Sequence, residues 1–166
     1  MEKIVLGIDP GIATTGFGVV RIEPSGKVSF VDCGQIRTNK QNSISQRLAI
    51  IVESLRQLIE KYHPELVGIE SLFFARNIST AMVVAEARGA ILSVLAEYNL
   101  PVVEHTPLQV KQSLTGYGKA DKQQVLKMIK SILHIEALPG PDDISDALAI
   151  AVCTAFHKQV STQVLK

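Results

Sequence analysis

The stretch Lys3-Ile4-Val5-Leu6-Gly7-Ile8-Asp9-Pro10-Gly11 decides the fold of this chain. Its run from Ile4 to Ile8 is almost entirely apolar, which is typical of a strand that is covered on both faces of its sheet. Pro10 and Gly11 predict the turn that ends the strand. The stretch therefore predicts a central β-strand whose last residue is an acid.

Two further strands are predicted directly after this one, over residues 15–22 and 27–37. Pro24-Ser25-Gly26 lies between them and is a hairpin signal. Three strands joined by short turns predict an antiparallel meander at the start of the chain.

Beyond the meander the apolar residues take up a helical spacing. Strands alternate with helices from there on, so each later strand should lie parallel to its neighbour. The predicted fold is α/β and ribonuclease-H-like: a five-stranded mixed sheet, three strands antiparallel and then parallel strands, with helices on both faces. The first strand should be central, with the fourth beside it. Helices are predicted over residues 45–62, 79–98, from 107, 121–133 and 143–157, strands over 66–70 and 102–105, and a flexible break at 116–118.

Length and composition indicate one globular domain. The chain has 166 residues, 46% of them hydrophobic and 20% charged, which argues against disorder. We expect a domain over residues 1–157 with a short tail over 158–166. No apolar run approaches the roughly 20 residues that cross a bilayer. With no signal peptide after Met1, and with Cys33 and Cys153 expected to be free buried thiols, a cytoplasmic protein is predicted.

The net charge of +1 does not indicate a polyanion-binding protein, so any such surface must be local. Residues 107–134 are the strongest local candidate, and they fit either a solvated helix face or a nucleic-acid surface. This segment has one acid, Asp121, and five lysines: Lys111, Lys119, Lys122, Lys127 and Lys130.

Four acids follow or precede apolar elements in a pattern that predicts a shared site. Asp9 and Glu70 end the first and fourth strands, which as parallel neighbours would lie about 4.8 Å apart at the edge where open α/β sheets bind ligands. Asp143 and Asp146 are three residues apart at the start of the last helix and share a face. Taken singly, each has an ordinary alternative, such as a turn, a helix cap or a pair between Glu70 and Arg76.

A divalent cation would offset the repulsion among four converging carboxylates. Oxygen ligands without a His or Cys cluster favour Mg²⁺, with Mn²⁺ able to substitute, over Zn²⁺. Such a cluster suits two ions that hydrolyse a phosphodiester. The acids therefore predict a metal-dependent nuclease.

The motifs in which these acids stand resemble those of the RuvC family of Holliday-junction resolvases. Four blocks occur in order across residues 7–151, which is nearly the whole chain. They are Gly7-Ile8-Asp9-Pro10-Gly11 with Thr15-Gly16-Phe17-Gly18-Val19; Ile69-Glu70 with Phe73, Ala75, Asn77 and Ala87-Arg88-Gly89; Val110-Lys111-Gln112 with Gly116, Gly118, Ala120, Lys122, Gln124 and Val125; and Asp143-Ile144-Ser145-Asp146-Ala147-Leu148-Ala149-Ile150-Ala151.

The resemblance implies a ribonuclease-H-like homodimer that makes paired symmetric nicks in four-way DNA junctions during homologous recombination and DNA repair. It also implies Mg²⁺ or Mn²⁺ as cofactor and the RuvA–RuvB branch-migration complex as partner. The family's metal-site acids fall on Asp9, Glu70, Asp143 and Asp146. Asp143 is a histidine in some members, and the adjacent Asp142 competes with it.

The resemblance further implies how DNA is held. Lys111 and Lys122 match lysines near the scissile phosphate, and Phe73 matches an aromatic residue that stacks on a base, although core packing is its alternative. Arg76 stands where a lysine is common, and together with Lys119 it completes the predicted DNA-binding set. The small-residue helix over 79–98 resembles the family's dimer interface, although burial within one subunit would explain it as well.

Three other functions are compatible with parts of the sequence. Asp9-Pro10-Gly11 through Gly16 also resembles the first phosphate loop of an actin-like ATPase or sugar kinase, but 166 residues cannot hold the two domains that those proteins need. A non-cleaving junction-binding module is a second alternative, against which the presence of all four acids argues. A ribonuclease for RNA–DNA hybrids is the third, and the blocks around Phe73 and Gly116 favour a junction over it.

Overall fold

The computed structural model describes residues 1–71, 78–138 and 144–164, with side chains described for 1–71, 81–138 and 144–157. Predicted and observed elements agree to within one residue at nearly every boundary. In chain order the elements are β1 (Lys3–Asp9), β2 (Thr14–Ile22), β3 (Val28–Arg37), α1 (Ile44–Tyr62), β4 (Leu66–Glu70), α2 (Ile78–Glu97), β5 (Val102–His105), α3 (Pro107–Thr115), α4 (Lys122–Leu133) and α5 (Ile144–Val164).

The five strands form one mixed sheet in the order β3-β2-β1-β4-β5. The pairs β1–β2 and β2–β3 are antiparallel, whereas β1–β4 and β4–β5 are parallel. The predicted fold class is therefore confirmed, including the central first strand with the fourth beside it.

Helices cover both faces of the sheet, and successive residues of β1 point to opposite sides, as the pleat requires. Val5 belongs to a core with α3, α4 and α5, whereas Leu6 and Ile8 belong to a core with α1 and α2. All three side chains are buried. The continuous apolar run of β1 is thus explained by coverage on both faces.

A row of three glycines crosses the centre of the sheet on the α5 side. Gly7 of β1 lies in register with Gly18 of β2 and with Gly68 of β4. A Cβ atom on Gly7 would overlap the carbonyl oxygen of Ala147, and one on Gly18 would lie 2.7 Å from the Cα of Leu148. The glycine row lets the backbone of α5 rest directly on β1 and β2, whereas the side chains of Thr154 and Ile150 lie over Gly68 of β4.

The ends of α3 and α4 are fixed by local hydrogen bonds. Thr106 and Asp121 are N-caps, each closing a capping box with a glutamine three residues later. Gly116 ends α3 in the left-handed conformation, with φ of 74°. The segment 116–118, predicted as a flexible break, is instead a hydrogen-bonded turn, because Ala120 donates to the carbonyl of Tyr117 at 3.1 Å.

The last helix continues to Val164, seven residues beyond its predicted end. No proline or glycine follows His157 to stop it. Within the described helices, none is long and apolar enough to cross a membrane. Cys33 and Cys153 are free and buried, as predicted, and burial raises the pKa of the Cys33 thiol to about 11.

Candidate active site

Asp9 and Glu70 meet at the carboxyl-terminal edge of the sheet. Ile8 of β1 lies in register with Ile69 of β4, so the next residue of each parallel strand is an acid at the same edge. The two carboxyl groups lie close enough to share a hydrogen bond when one of them is protonated. Burial, followed by the charge and hydrogen bond of Asp9 and then the charge of Asp146, raises the pKa of Glu70 to about 7.

Asp146 reaches the same place from the first turn of α5. Together with Glu70 and Lys111 it lines a cleft of about 80 Å³, which we call the carboxylate cleft. The Nζ atom of Lys122, the first residue of α4, lies 3.4 Å from a carboxylate oxygen of Asp146. Two cations from the basic segment therefore stand beside the acids.

The rest of the carboxylate cleft is apolar. Its wall is formed by Pro107 and Val110 of α3, Val125 of α4, and Ala149 and Ile150 of α5. An apolar wall lowers the local dielectric constant and so strengthens the interaction of the acids with any cation. The cleft thus combines clustered charge with poor hydration.

Arg88 of α2 supports the edge that carries Glu70, a role that sequence reasoning missed. Its guanidinium pairs with Glu104 of β5 at 2.6 Å, and its Nε donates to the backbone carbonyl of Glu70 at 3.4 Å. The sequence did contain a signal, because Arg88 is a lone cation in a helix whose residues are mostly apolar. Arg88 holds the ends of β4 and β5 together.

His105, the last residue of β5, is a second supporting residue that was missed. It is 5% exposed and lies in register with Glu70. Thr154 donates its hydroxyl proton to the carbonyl of Ile150 at 2.7 Å, so the imidazole must donate from Nε2 to Thr154, 2.9 Å away. Nδ1 lies 3.6 Å from the sulfur of Cys153, which fits a thiol donor. His105 therefore locks β5 onto α5.

The structure brings together most of the site residues that it describes. Asp9, Glu70 and Asp146 converge, and Lys111 and Lys122 lie beside them. Lys119 is exposed in the turn before α4. The remaining predicted residues, Phe73, Arg76, Asp142 and Asp143, lie outside the described residues.

A complete set of metal ligands is not assembled among the described side chains. Within 1–71, 81–138 and 144–157, no three His, Cys, Asp or Glu side chains are arranged to hold an ion. Asp146 is paired with Lys122 in this geometry. The metal-ligand roles of the four acids therefore stay predictions.

Residues 5–154 match the family model described as crossover junction endodeoxyribonuclease RuvC. The chain belongs to the RuvC family. A RuvC from Roseiflexus sp. (strain RS-1) is 48% identical to it over 151 residues, covering 91% of this chain and 89% of the relative. RuvC chains are thus matched along almost their whole length.

Solved RuvC structures agree with the fold. The Thermus thermophilus RuvC structure has a TM-score of 0.88 and 37% identity, covering 96% of this chain and 97% of that one. The T. thermophilus RuvC in complex with Holliday junction substrate has a TM-score of 0.86 and 34% identity over the same shares. The predicted family and its fold are confirmed.

Membership in the RuvC family decides between the alternatives that the sequence left open. The chain is an endodeoxyribonuclease, which removes the actin-like ATPase and sugar-kinase interpretation of Asp9-Pro10-Gly11. It also argues against a module that only binds junctions. The acids at the sheet edge therefore belong to a phosphodiester-cleaving enzyme.

Proposed function

We propose that this RuvC-family chain resolves four-way DNA junctions by paired, symmetric phosphodiester hydrolysis in recombination and repair. The observation that carries the proposal is the carboxylate cleft, lined by Glu70, Asp146 and Lys111. Asp9 lies beside Glu70, and Lys122 lies beside Asp146. A DNA backbone requires cations on the protein, and its hydrolysis requires oxygen ligands for metal ions. Both are present at one edge of the sheet.

The acids fit a hard divalent cation, and the family is one of metal-dependent nucleases. Burial, together with the charges of Asp9 and Asp146, raises the pKa of Glu70, and a bound cation would offset the repulsion among the three carboxylates. We assign the ligand roles to Asp9, Glu70 and Asp146, with Asp143 as a fourth, and Mg²⁺ or Mn²⁺ as the ion. Bound there, two ions would supply an activated water and stabilise the leaving oxygen.

Lys111 of the carboxylate cleft and Lys122 beside Asp146 act on the phosphate itself. Lys111 projects from a rigid helix, and Lys122 stands at the first position of α4, whose amino-terminal end also favours an anion. They would hold a phosphate oxygen and offset the negative charge that builds in the transition state. Loss of one such prearranged donor commonly lowers kcat by about 10²–10³.

The decisive experiment is a nicking assay on a synthetic four-way junction, a linear duplex and an RNA–DNA hybrid, with and without Mg²⁺. We expect Mg²⁺-dependent nicks in two strands of like orientation in the junction alone. Equal cleavage of the hybrid would favour the ribonuclease alternative instead. Cleavage of duplex and junction at the same rate would contradict structure selectivity.

Substitutions of the acids test their roles in the same assay. Asp9→Asn, Glu70→Gln and Asp146→Asn should each abolish cleavage while junction binding persists. Glu97→Gln is a matched control, since Glu97 pairs with Arg56 on the surface at the end of α2. If one of the three variants cuts at the wild-type rate, the substituted acid is not a metal ligand.

Phe73, Arg76 and Lys119 complete the proposed DNA contacts. Phe73 would stack on a base at the opened centre of the junction, and the two cations would hold backbone phosphates. Lys122→Ala and Lys119→Ala should each reduce the slope of log affinity against log salt by about 0.9 for a lost phosphate contact. Phe73→Ala should reduce junction distortion without that change in slope.

A homodimer would supply the second active site that paired cuts require. One side of α2 is exposed at Met82, Glu86, Gly89 and Ser93, a continuous stripe at helical spacing. We expect this stripe to form the dimer contact, so Gly89→Arg should yield monomers by light scattering and uncoupled single nicks. The RuvA–RuvB complex as partner remains a prediction from the family resemblance, and a cytoplasmic location remains a prediction from the sequence.

A further inference from the structure

The turn between α3 and α4, which we call the Tyr117 turn (residues 115–120), is held in place by its own hydrogen bonds. The Thr115 hydroxyl oxygen lies 2.8 Å from the carbonyl oxygen of Lys111 and accepts from the backbone N–H of Tyr117 at 3.1 Å. Gly116 donates to the carbonyl of Gln112 at 2.9 Å. Ala120 closes the turn with a buried methyl group. The Tyr117 turn therefore has a fixed backbone conformation.

The Tyr117 turn exposes the aromatic ring of Tyr117 to solvent. Tyr117 is 58% exposed, although a tyrosine of a packed turn would normally cover part of the core. Leu108 of α3 is 56% exposed, and its side chain packs against Gly118, where a Cβ atom would lie 3.1 Å from the Leu108 Cγ. Leu108, which packs against Gly118, and Tyr117, which precedes it in the chain, are therefore two large exposed side chains near one glycine.

Cations and the carboxylate cleft adjoin this pair. Pro107, the neighbour of Leu108, lines the cleft, and Thr115 lies against the backbone of Lys111, another cleft residue. Lys119 is exposed within the turn itself. The apolar pair is thus bordered by positive charge, which is the setting in which proteins hold single nucleic-acid strands.

We propose that the Tyr117 ring stacks on a nucleobase of the DNA strand that enters the carboxylate cleft, with the exposed Leu108 adding apolar surface near Gly118. The inference rests on the proposed function and adds a binding contact to the one expected of Phe73. Because the turn is already ordered, stacking would fix little additional backbone freedom. Lys119, two residues on, would hold a phosphate of the same strand, so that ring and cation together set the register of the strand at the acids.

A tryptophan substitution gives a direct test, because the chain contains no tryptophan. In a Glu70→Gln background, Tyr117→Trp supplies a single tryptophan, whose emission should be strongly quenched when a four-way junction saturates the protein. The matched control is Tyr98→Trp in the same background. Tyr98 follows α2 at the opposite end of the sheet and contacts Glu60 at 3.1 Å, so its emission should not change. Equal emission of the Tyr117→Trp protein with and without junction overturns the proposal.

Binding measurements separate stacking from ionic attraction. Tyr117→Ala should weaken junction binding by about 5- to 150-fold, the range expected for one lost base stack. The salt slope should stay at the wild-type value, in contrast to Lys119→Ala. Tyr117→Phe should restore affinity, whereas Tyr117→Leu should not. Rescue by leucine would show general apolar contact and contradict stacking.

The wild-type protein distinguishes failure of this inference from failure of the proposed function. If it cleaves junctions while Tyr117→Ala binds and cuts like the wild type, the stacking proposal is wrong and the resolvase assignment stands. If the wild type neither binds nor cuts junctions, the proposed function fails first. Because Tyr117 is exposed and flanked by glycines, its substitutions should leave the fold intact, which urea unfolding would verify.

Discussion

The two faces of the sheet are covered by helices in different ways. On one face the backbone of α5 rests directly on Gly7 of β1 and Gly18 of β2, and its Thr154 and Ile150 side chains fill the space over Gly68 of β4. On the other face, α1 and α2 pack through branched aliphatic side chains such as Leu6, Ile8, Ile51 and Ile91. Backbone contact fixes a helix closely, whereas aliphatic packing leaves room for adjustment. The helix that carries Asp146 is the one held by backbone contact.

The largest loss of stability is expected from adding one carbon atom to a glycine of the glycine row. Gly7→Ala would place a methyl group against the carbonyl oxygen of Ala147 and the backbone nitrogen of Ala151, so α5 itself must move. We expect a loss of about 3 kcal/mol or more in the free energy of unfolding. Cleavage should fall in the remaining folded protein, because Asp146 moves with the helix. Urea unfolding and the nicking assay measure the two effects.

Gly89→Ala is the matched control for that substitution. Gly89 lies on α2, in the stripe that we expect to form the dimer contact, and a Cβ atom there would meet nothing of its own chain within 4 Å. Both variants are therefore compared at a protein concentration at which the chain is monomeric. Alanine in a helix is more favourable than glycine by about 1 kcal/mol, so this variant should be as stable as the wild type or more so. If Gly7→Ala and Gly89→Ala unfolded at the same urea concentration, the proposed difference between the two faces would be wrong.

A smaller effect, which raises the free energy of unfolding, is expected from removing the charge of Glu70, which lies near Asp146 of α5 at the edge of the sheet. The pKa of Glu70 is raised from 4.5 to about 7, so between these values the folded chain holds a proton that the unfolded chain releases. Stability of the metal-free protein should therefore fall as pH rises through this window. Glu70→Gln removes that loss and should stabilise the metal-free fold at pH 8 by about 1–3 kcal/mol.

Urea unfolding in EDTA at several pH values tests this expectation. The wild type and Glu70→Gln should have similar stability near pH 4 and diverge towards pH 8. If the wild type were more stable than Glu70→Gln at pH 8 without metal, the negative charge of Glu70 would not destabilise the metal-free fold. Added Mg²⁺ should narrow the difference, since a bound cation stabilises the wild-type cluster alone.

Much of this architecture was readable from the sequence because it rests on periodicity. Apolar runs and helical spacing gave the bounds of β1, β4 and β5, and the ends of two parallel strands placed Asp9 and Glu70 at one edge. The glycine row was not predicted, because Gly7, Gly18 and Gly68 are distant in sequence and become a row only in the register of the sheet.

Tertiary contacts explain the other differences between prediction and structure. The glycines around Tyr117 suggested a flexible segment, but Thr115 and Ala120 supply the bonds that order it. Arg88 and His105 have no motif of their own, and their roles depend on Glu104 and Thr154, which lie far along the chain. Sequence patterns report on neighbours along an element, whereas these residues act between elements.

The smallest loss of stability is expected on the face of the sheet that α1 and α2 cover. Ile51 of α1 is fully buried among Leu, Ile and Val side chains, and Ile51→Val removes one carbon there, as Gly7→Ala adds one on the other face. We expect a loss of only about 0.5–1.5 kcal/mol in the free energy of unfolding. Cleavage should be unchanged, because aliphatic neighbours can close around the missing methyl group without moving β1 or β4. A fall in cleavage as large as that of Gly7→Ala would mean that both faces position the acids equally, and that backbone contact with α5 is not what fixes Asp146.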